Sequence, residues 1–281
     1  MRIDSSQPYS LIAPLDKASK SLDKTNKDLN KILERLSTAL RINRASDDAA
    51  GLGIAEQLTT QIRGFQQATN NVSDAMSALN IADSAGNQVS DMVQRQRELA
   101  LQSSNATLTD TQRQDLNVEY QALTQEITRI SSASQFNTQS VAAGTGLSSG
   151  AAVIQAGPNA GDQVTMPKTD FTAAALAISG TSIDTAANAT NAINNLDNAL
   201  NTLNSQRSTL GAMTNRFEST VNNLSIAAIN TQAAESVIRD QDMAAGLVEL
   251  TSKQLLQQST LSAFSKFNEV SANHIMALLK S

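Results

Sequence analysis

Apolar residues in this chain step by three and four over most of its length, and that spacing confines it to long, thin helices packed side by side. Leu15, Ala18, Leu22, Leu29, Ile32, Leu36 and Ala39 form a first seam, with Thr25 in its one polar slot. Lys17, Lys20, Asp23, Lys24, Lys27, Asp28 and Lys31 fill the intervening face, which reads as a solvated charged surface. A second seam runs through Phe65, Ala68, Val72, Ala75, Leu79, Ala82, Gly86, Val89, Val93 and Ala100, with Gln96 as the polar exception. Ser104 to Thr109 interrupts it. Thr109-Asp110-Thr111-Gln112 then reads as a capping box opening a third helix, which continues through Leu116, Tyr120, Leu123 and Ile127 to about Ile130. The same stepping returns at Ile193, Leu196, Leu200, Leu203, Leu210, Phe217, Val221, Leu224 and Ala228, interrupted by Arg207. A last segment, Asp242 to Lys280, carries Leu247, Leu250, Leu261, Phe264, Ile275 and Leu278 around a polar middle of Gln254, Gln257, Gln258 and Ser259.

Composition supports thin layers. Apolar residues make up 40% of the chain but aromatic ones only 3%, with no Trp, so there are few large rings to fill a thick globular interior. Glycine and proline gather between about Gln135 and Ile183, where Ala151 to Ile154 and Val164 to Met166 read as strands of a small hairpin. Its turn is Gly157-Pro158-Asn159-Ala160-Gly161-Asp162. The expected fold is mainly α: a long antiparallel helical, coiled-coil bundle formed by both chain ends, with a small β-hairpin region in the middle.

Several function classes lose their footing on residue type. A net charge of −5 without a basic block argues against nucleic acid, and no apolar run is long enough to span a bilayer. Arg2 is followed by Asp4, Ser5, Ser6 and Gln7, which is not a signal-peptide hydrophobic region. Zero Cys removes disulfide and thiol chemistry, and the single histidine, His274, excludes a two-His metal site. Gly144-Thr145-Gly146-Leu147-Ser148-Ser149-Gly150 fails as a dinucleotide loop, because Ser149 holds the third glycine position. No catalytic, cofactor-binding or metal residue is assigned, and the chain is not expected to be an enzyme.

The most specific stretch lies between Glu34 and Leu58. A helix leads to Arg41-Ile42-Asn43, a polar break spans Arg44 to Asp48, and a small-residue run, Ala49 to Ala55, follows. Asp47 or Asp48 is a natural N-cap for the next helix, and Ala and Gly after it permit close backbone approach. This segment resembles, almost residue for residue, the N-terminal signature of bacterial flagellins. Ile154 to Asp162 is similar to the flagellin hairpin. Phe217-Glu218-Ser219-Thr220-Val221-Asn222-Asn223-Leu224 and Gln254-Leu255-Leu256-Gln257-Gln258-Ser259 are similar to its C-terminal half. The opening Met1-Arg2-Ile3, with Pro8 and Pro14, departs from the family's usual start.

The resemblance implies a short flagellin. Residues 1–45 and 239–281 would form an inner coiled-coil domain. Residues 46–134, 135–183 and 184–238 would supply the helices, hairpin region and C-terminal helix of a rod-like outer domain. It implies a subunit that is exported without a cleaved signal and polymerises with itself into the extracellular flagellar filament. Leu22, Leu29, Ile32, Leu36, Leu247, Leu250, Leu261, Phe264 and Leu278 would carry assembly. Implied partners are the flagellar export apparatus and an export chaperone, filament cap and hook-junction proteins, and a host Toll-like receptor. Gln94 to Gln102 resembles the segment that receptor binds, which gives Arg95, Leu99 and Gln102, with Glu119 on the adjacent helix, as contacts. The Gln-rich middle of the last helix would line the filament's export channel. The hook–filament junction protein is an alternative on Met1-Arg2-Ile3, though that family resembles Asn-Pro-Ser-Asp-Asp-Pro where this chain has Arg44 to Gly51. A signalling coiled coil is a more distant one, and it would need a membrane anchor or a dimer partner.

Overall fold

The computed structural model describes residues 8–280. Five helices dominate them: α1 (Pro8–Thr38), α2 (Ala49–Ser103), α3 (Asp110–Ala133), α4 (Ala186–Arg239) and α5 (Met243–Lys280). Between α3 and α4 lie two small antiparallel hairpins, β1 (Gln135–Phe136) with β2 (Gln139–Ser140), and β3 (Val153–Gln155) with β4 (Gln163–Thr165). Cα packing divides the chain into two compact units, one of residues up to Thr59 and from Gln232, the other Thr60–Thr231.

In the terminal unit α1 packs against α5. α1 stops because Ala39 adopts a left-handed φ of 57°, which ends a right-handed helix. α4 stops at the same level. The peptide groups of the two breaks pair, Arg41 N–H donating to the Arg239 carbonyl at 2.7 Å and Gln241 N–H to the Ala39 carbonyl at 2.9 Å. The polar break at Arg44 to Asp48 is thus a turn tied to its C-terminal counterpart.

In the larger unit α2 and α4 run antiparallel, with Arg97 Nε 2.6 Å from Asp197 and Arg207 Nε 3.1 Å from Asp83. Arg207, which breaks the apolar spacing of α4, leaves the helix continuous and reaches across to α2. Small residues on the inner face of α2 bring neighbours close: a Cβ on Gly86 would lie 3.1 Å from the Phe171 ring. Phe171, Tyr120, Ile127, Leu196, Leu203, Leu210 and Phe217 fill the core, all at most 1% exposed. α3 opens with the expected capping box, the Thr109 side chain accepting from Gln112 N–H and the Gln112 side chain accepting from Thr109 N–H. β3 and β4 pair as the sequence suggests, one or two residues from the predicted bounds, and Met166 N–H extends the ladder to the Ala152 carbonyl at 2.8 Å.

Two features lie outside the sequence reading. One is the two-residue hairpin β1–β2. The other is the coil from Phe171 to Ile183, which side chains of α3 hold by hydrogen bonds. Gln121 Nε2 donates to the Thr181 carbonyl at 2.7 Å, and Asn117 Oδ1 accepts from Ile183 N–H at 2.9 Å. The Tyr120 and Thr181 hydroxyls lie 2.6 Å apart, and burial raises the pKa of Tyr120.

Candidate functional site

The signature segment is a scaffold, and each of its two aspartates has a separate task. Asp48 caps α2, accepting Gly51 N–H at 2.9 Å. Asp47 caps the turn itself, accepting from Arg44 N–H at 3.2 Å and Asn43 N–H at 3.3 Å, with Lys31 Nζ at 2.6 Å. The Lys31 ammonium, aided by those two N–H groups, lowers the Asp47 carboxyl to about 2. Gly51 is required by space, since a Cβ there would lie 2.5 Å from the Asp48 carboxylate and 2.9 Å from Ile42 Cδ1. Ile42 is buried, so the turn is anchored by one apolar side chain and clamped by two carboxylates.

The predicted assembly residues divide by helix. On α1, Leu29 and Ile32 are buried, and Leu22 and Leu36 are half-buried. On α5, Leu250 and Phe264 are half-buried, while Leu247 and Leu261 are 53% and 47% exposed. Leu278 has a side chain outside the described residues. α5 turns polar groups toward α1: Lys253 Nζ meets Asp28 at 2.8 Å, and Gln257 Nε2 donates to Asn26 at 2.7 Å. The pair raises the pKa of Lys253 and lowers that of Asp28. Gly246 admits Leu36, whose Cδ2 would lie 2.8 Å from an added Cβ. Val248, Leu255, Leu256 and Val270 are then left open, each more than half exposed. This corrects one expectation about the Gln-rich middle. Gln257 is spent on α1, and only Gln254, Gln258 and Ser259 are exposed polar groups.

The predicted recognition patch sits on α2 and α3. Arg95 Nη2 lies 2.8 Å from Glu119 and its Nη1 3.1 Å from Glu98, and both carboxylates raise its pKa. Gln102 is exposed beside them in sequence. Leu99 requires a correction. It is 1% exposed and belongs to the core, so it supports the patch from beneath instead of meeting a partner. Helical spacing brings Arg95, Leu99 and Gln102 toward one side, but the middle of that arc is buried.

Among the described residues no cluster of His, Cys, Asp and Glu could hold a metal, and no helix is long and apolar enough to cross a membrane.

Comparison with known proteins gives a consistent picture. The family model for the bacterial flagellin N-terminal helical region matches residues 12–146, and that for the C-terminal helical region matches residues 193–279. A flagellin of Halalkalibacterium halodurans is 42% identical over 241 residues, covering 85% of this chain and 88% of that protein. A flagellar filament 33 kDa core protein of Treponema phagedenis is 38% identical over 276 residues, covering 94% and 96%. The crystal structure of Bacillus cereus flagellin aligns at a TM-score of 0.50 and 31% identity, over 55% of this chain and 88% of that one.

Proposed function

The chain belongs to the bacterial flagellins, and we propose that it assembles through its terminal helices, as a structural subunit of the flagellar filament. The observation that carries the mechanism is the apolar surface that α5 leaves open. Lys253 and Gln257 face α1 and Leu250 and Phe264 are half-buried, while Leu247, Val248, Leu255, Leu256 and Leu261 are each about half exposed or more. A monomer gains nothing from that arrangement, because exposed leucines forgo about 1.5–3 kcal/mol each relative to burial. A polymer gains on every copy. Repeated heterologous contacts whose rotation does not close give an open helix, and each added copy covers the apolar surface of the last.

In this mechanism the terminal unit carries assembly and the larger unit stands as a preformed rod. Gln254, Gln258 and Ser259 form a polar strip on the assembled wall, suited to a channel through which unfolded subunits pass. In this reading the subunit leaves through the flagellum's own apparatus with a dedicated chaperone, meets cap and hook-junction proteins, and forms a filament outside the cell. Polymerisation needs no catalytic group. The exposed Arg95–Glu119 pair, with Gln102, is the surface offered to a Toll-like receptor by monomers. Arg95→Ala should weaken receptor activation in a reporter-cell titration, and equal signalling by both proteins removes Arg95 from that surface.

Electron microscopy of purified protein after salting-out tests the main reading. Long helical filaments are expected from the full chain, and short rings or soluble oligomers alone would favour a hook–filament junction role.

A further inference from the structure

The larger unit contains a cleft of about 380 Å³ between α2 and the two hairpins. One face of α2 forms a wall, with Asn71, Asp74, Ala75 and Ala78 at helical steps of three and four. Phe136 of β1, Val153 of β3 and Met166 lie across from it. Ala75, Ala78 and Met166 are buried, which closes the floor, while Val153 is 49% exposed and leaves an apolar edge in water. Asn71 ties the walls together, its Nδ2 donating to the Gln155 carbonyl at 3.2 Å and its Oδ1 accepting from Gln67 Nε2 at 2.9 Å. Gln155 Nε2 is spent on the Gly157 and Asn159 carbonyls, at 2.8 and 2.6 Å. The cleft is therefore preformed and mostly apolar, and its volume lies within the range of about 300–1,000 Å³ that small-molecule sites occupy. Asp74 is the one charged residue of its lining. It is exposed, and among the described residues no ion pair or hydrogen bond engages its carboxylate.

We propose that this cleft binds a small apolar molecule carrying one protonated amine, an arylalkylamine in class, with its ring body over Ala75, Ala78 and Met166 and its ammonium at Asp74. The alanines supply the room, because a longer side chain at either position would fill the space the ring occupies. Charge selects the head group. A neutral ligand would strip water from the Asp74 carboxylate and return no charge to it, and an anionic one would be repelled. An ammonium replaces the lost water with a charge-assisted hydrogen bond.

Binding is tested on monomers of the full chain, so its outcome is independent of whether the chain assembles. Naphthylmethylamine, naphthylmethanol and naphthylacetic acid share one apolar body and differ in charge, and each is titrated by isothermal calorimetry. The amine is expected to bind at least about fivefold more tightly than the alcohol, the contribution of one partly solvated charge pair, and the acid most weakly. Asp74→Asn, a change at an exposed position, should bring the amine to the affinity of the alcohol and leave the alcohol unchanged. The Met166 methyl resonance, assigned with Met166→Leu, should shift as the amine is added to the unsubstituted protein, which locates the ligand in the cleft without relying on a variant. Equal affinity for the three probes, no binding of the amine at millimolar concentration, an unchanged amine affinity in Asp74→Asn, or an unmoved Met166 signal each overturns the assignment.

Discussion

Gln96→Leu should stabilise the larger unit, although it deletes two hydrogen bonds. Gln96 is fully buried on α2, and its Nε2 donates to the Tyr120 carbonyl at 3.1 Å and to Thr124 Oγ1 at 2.7 Å. Its Oε1 has no partner among the described residues. A buried unpaired acceptor costs about 1–3 kcal/mol, whereas each completed bond returns about 1 kcal/mol net, so the side chain roughly breaks even. Its partners keep other bonds after replacement, since the Thr124 hydroxyl already donates to the Tyr120 carbonyl at 3.0 Å. Leucine then adds about 1.5–3 kcal/mol of apolar burial, reduced by about 1 kcal/mol because it is one heavy atom smaller. The net expectation is a gain of about 1 kcal/mol. Gln96→Ala, which opens a cavity without that burial, should lose about 2 kcal/mol. Urea unfolding followed by far-ultraviolet circular dichroism reads both, provided the denaturant slope is unchanged. A loss of more than about 1 kcal/mol in Gln96→Leu would show that the amide holds α3 on α2 in a way these bonds do not describe.

Three further outcomes follow from the same structure. Leu29→Asp places a carboxylate at a position 7% exposed between α1 and α5, at a cost of about 3 kcal/mol or more, and should give monomers that are exported but form no filaments by electron microscopy. Because the folded pKa of Asp47 is lowered from 3.8 to about 2, its contribution is present above about pH 4 and is lost as pH falls toward 2. With Lys31 46% exposed that contribution is about 1–2 kcal/mol, and Asp47→Asn should remove most of the loss of terminal-unit stability between pH 4 and pH 2. A fragment spanning Ser46 to Ile238, which contains the whole larger unit, should be soluble, helical and monomeric; filaments by sedimentation would mean that assembly does not depend on the ends.

The accuracy of the sequence reading follows the range of the interactions involved. Local chemistry was legible: the Thr109 capping box, the β3–β4 hairpin and the break before Ala49 each depend on residues within a few positions of one another. Periodicity also identified the inner faces of α2 and α4, where nearly every stepped residue is buried or half-buried. It could not say which neighbour covers a face, and the misplaced residues are of that kind. Leu99 looked like an anchor beside Arg95 because four-residue spacing unites them, yet Leu99 is buried in the core while Arg95 stays exposed. Gln257 looked like part of a free polar strip, but Asn26, 231 residues away in sequence, takes its amide. The Phe171 to Ile183 coil gave no signal at all. Its apolar residues have no period, and it is held by Asn117, Gln121 and Tyr120 on α3, so only tertiary contacts mark it as core. For α5 the failure of the simple rule is itself informative. A helix folded for a monomer would cover most of its leucines, and this one half-buries Leu250 and Phe264 but leaves Leu247, Leu255, Leu256 and Leu261 about half exposed or more. A sequence under selection only for the monomer has no reason to keep Leu247, Leu255 and Leu261 in water. A subunit whose stable state is the polymer does.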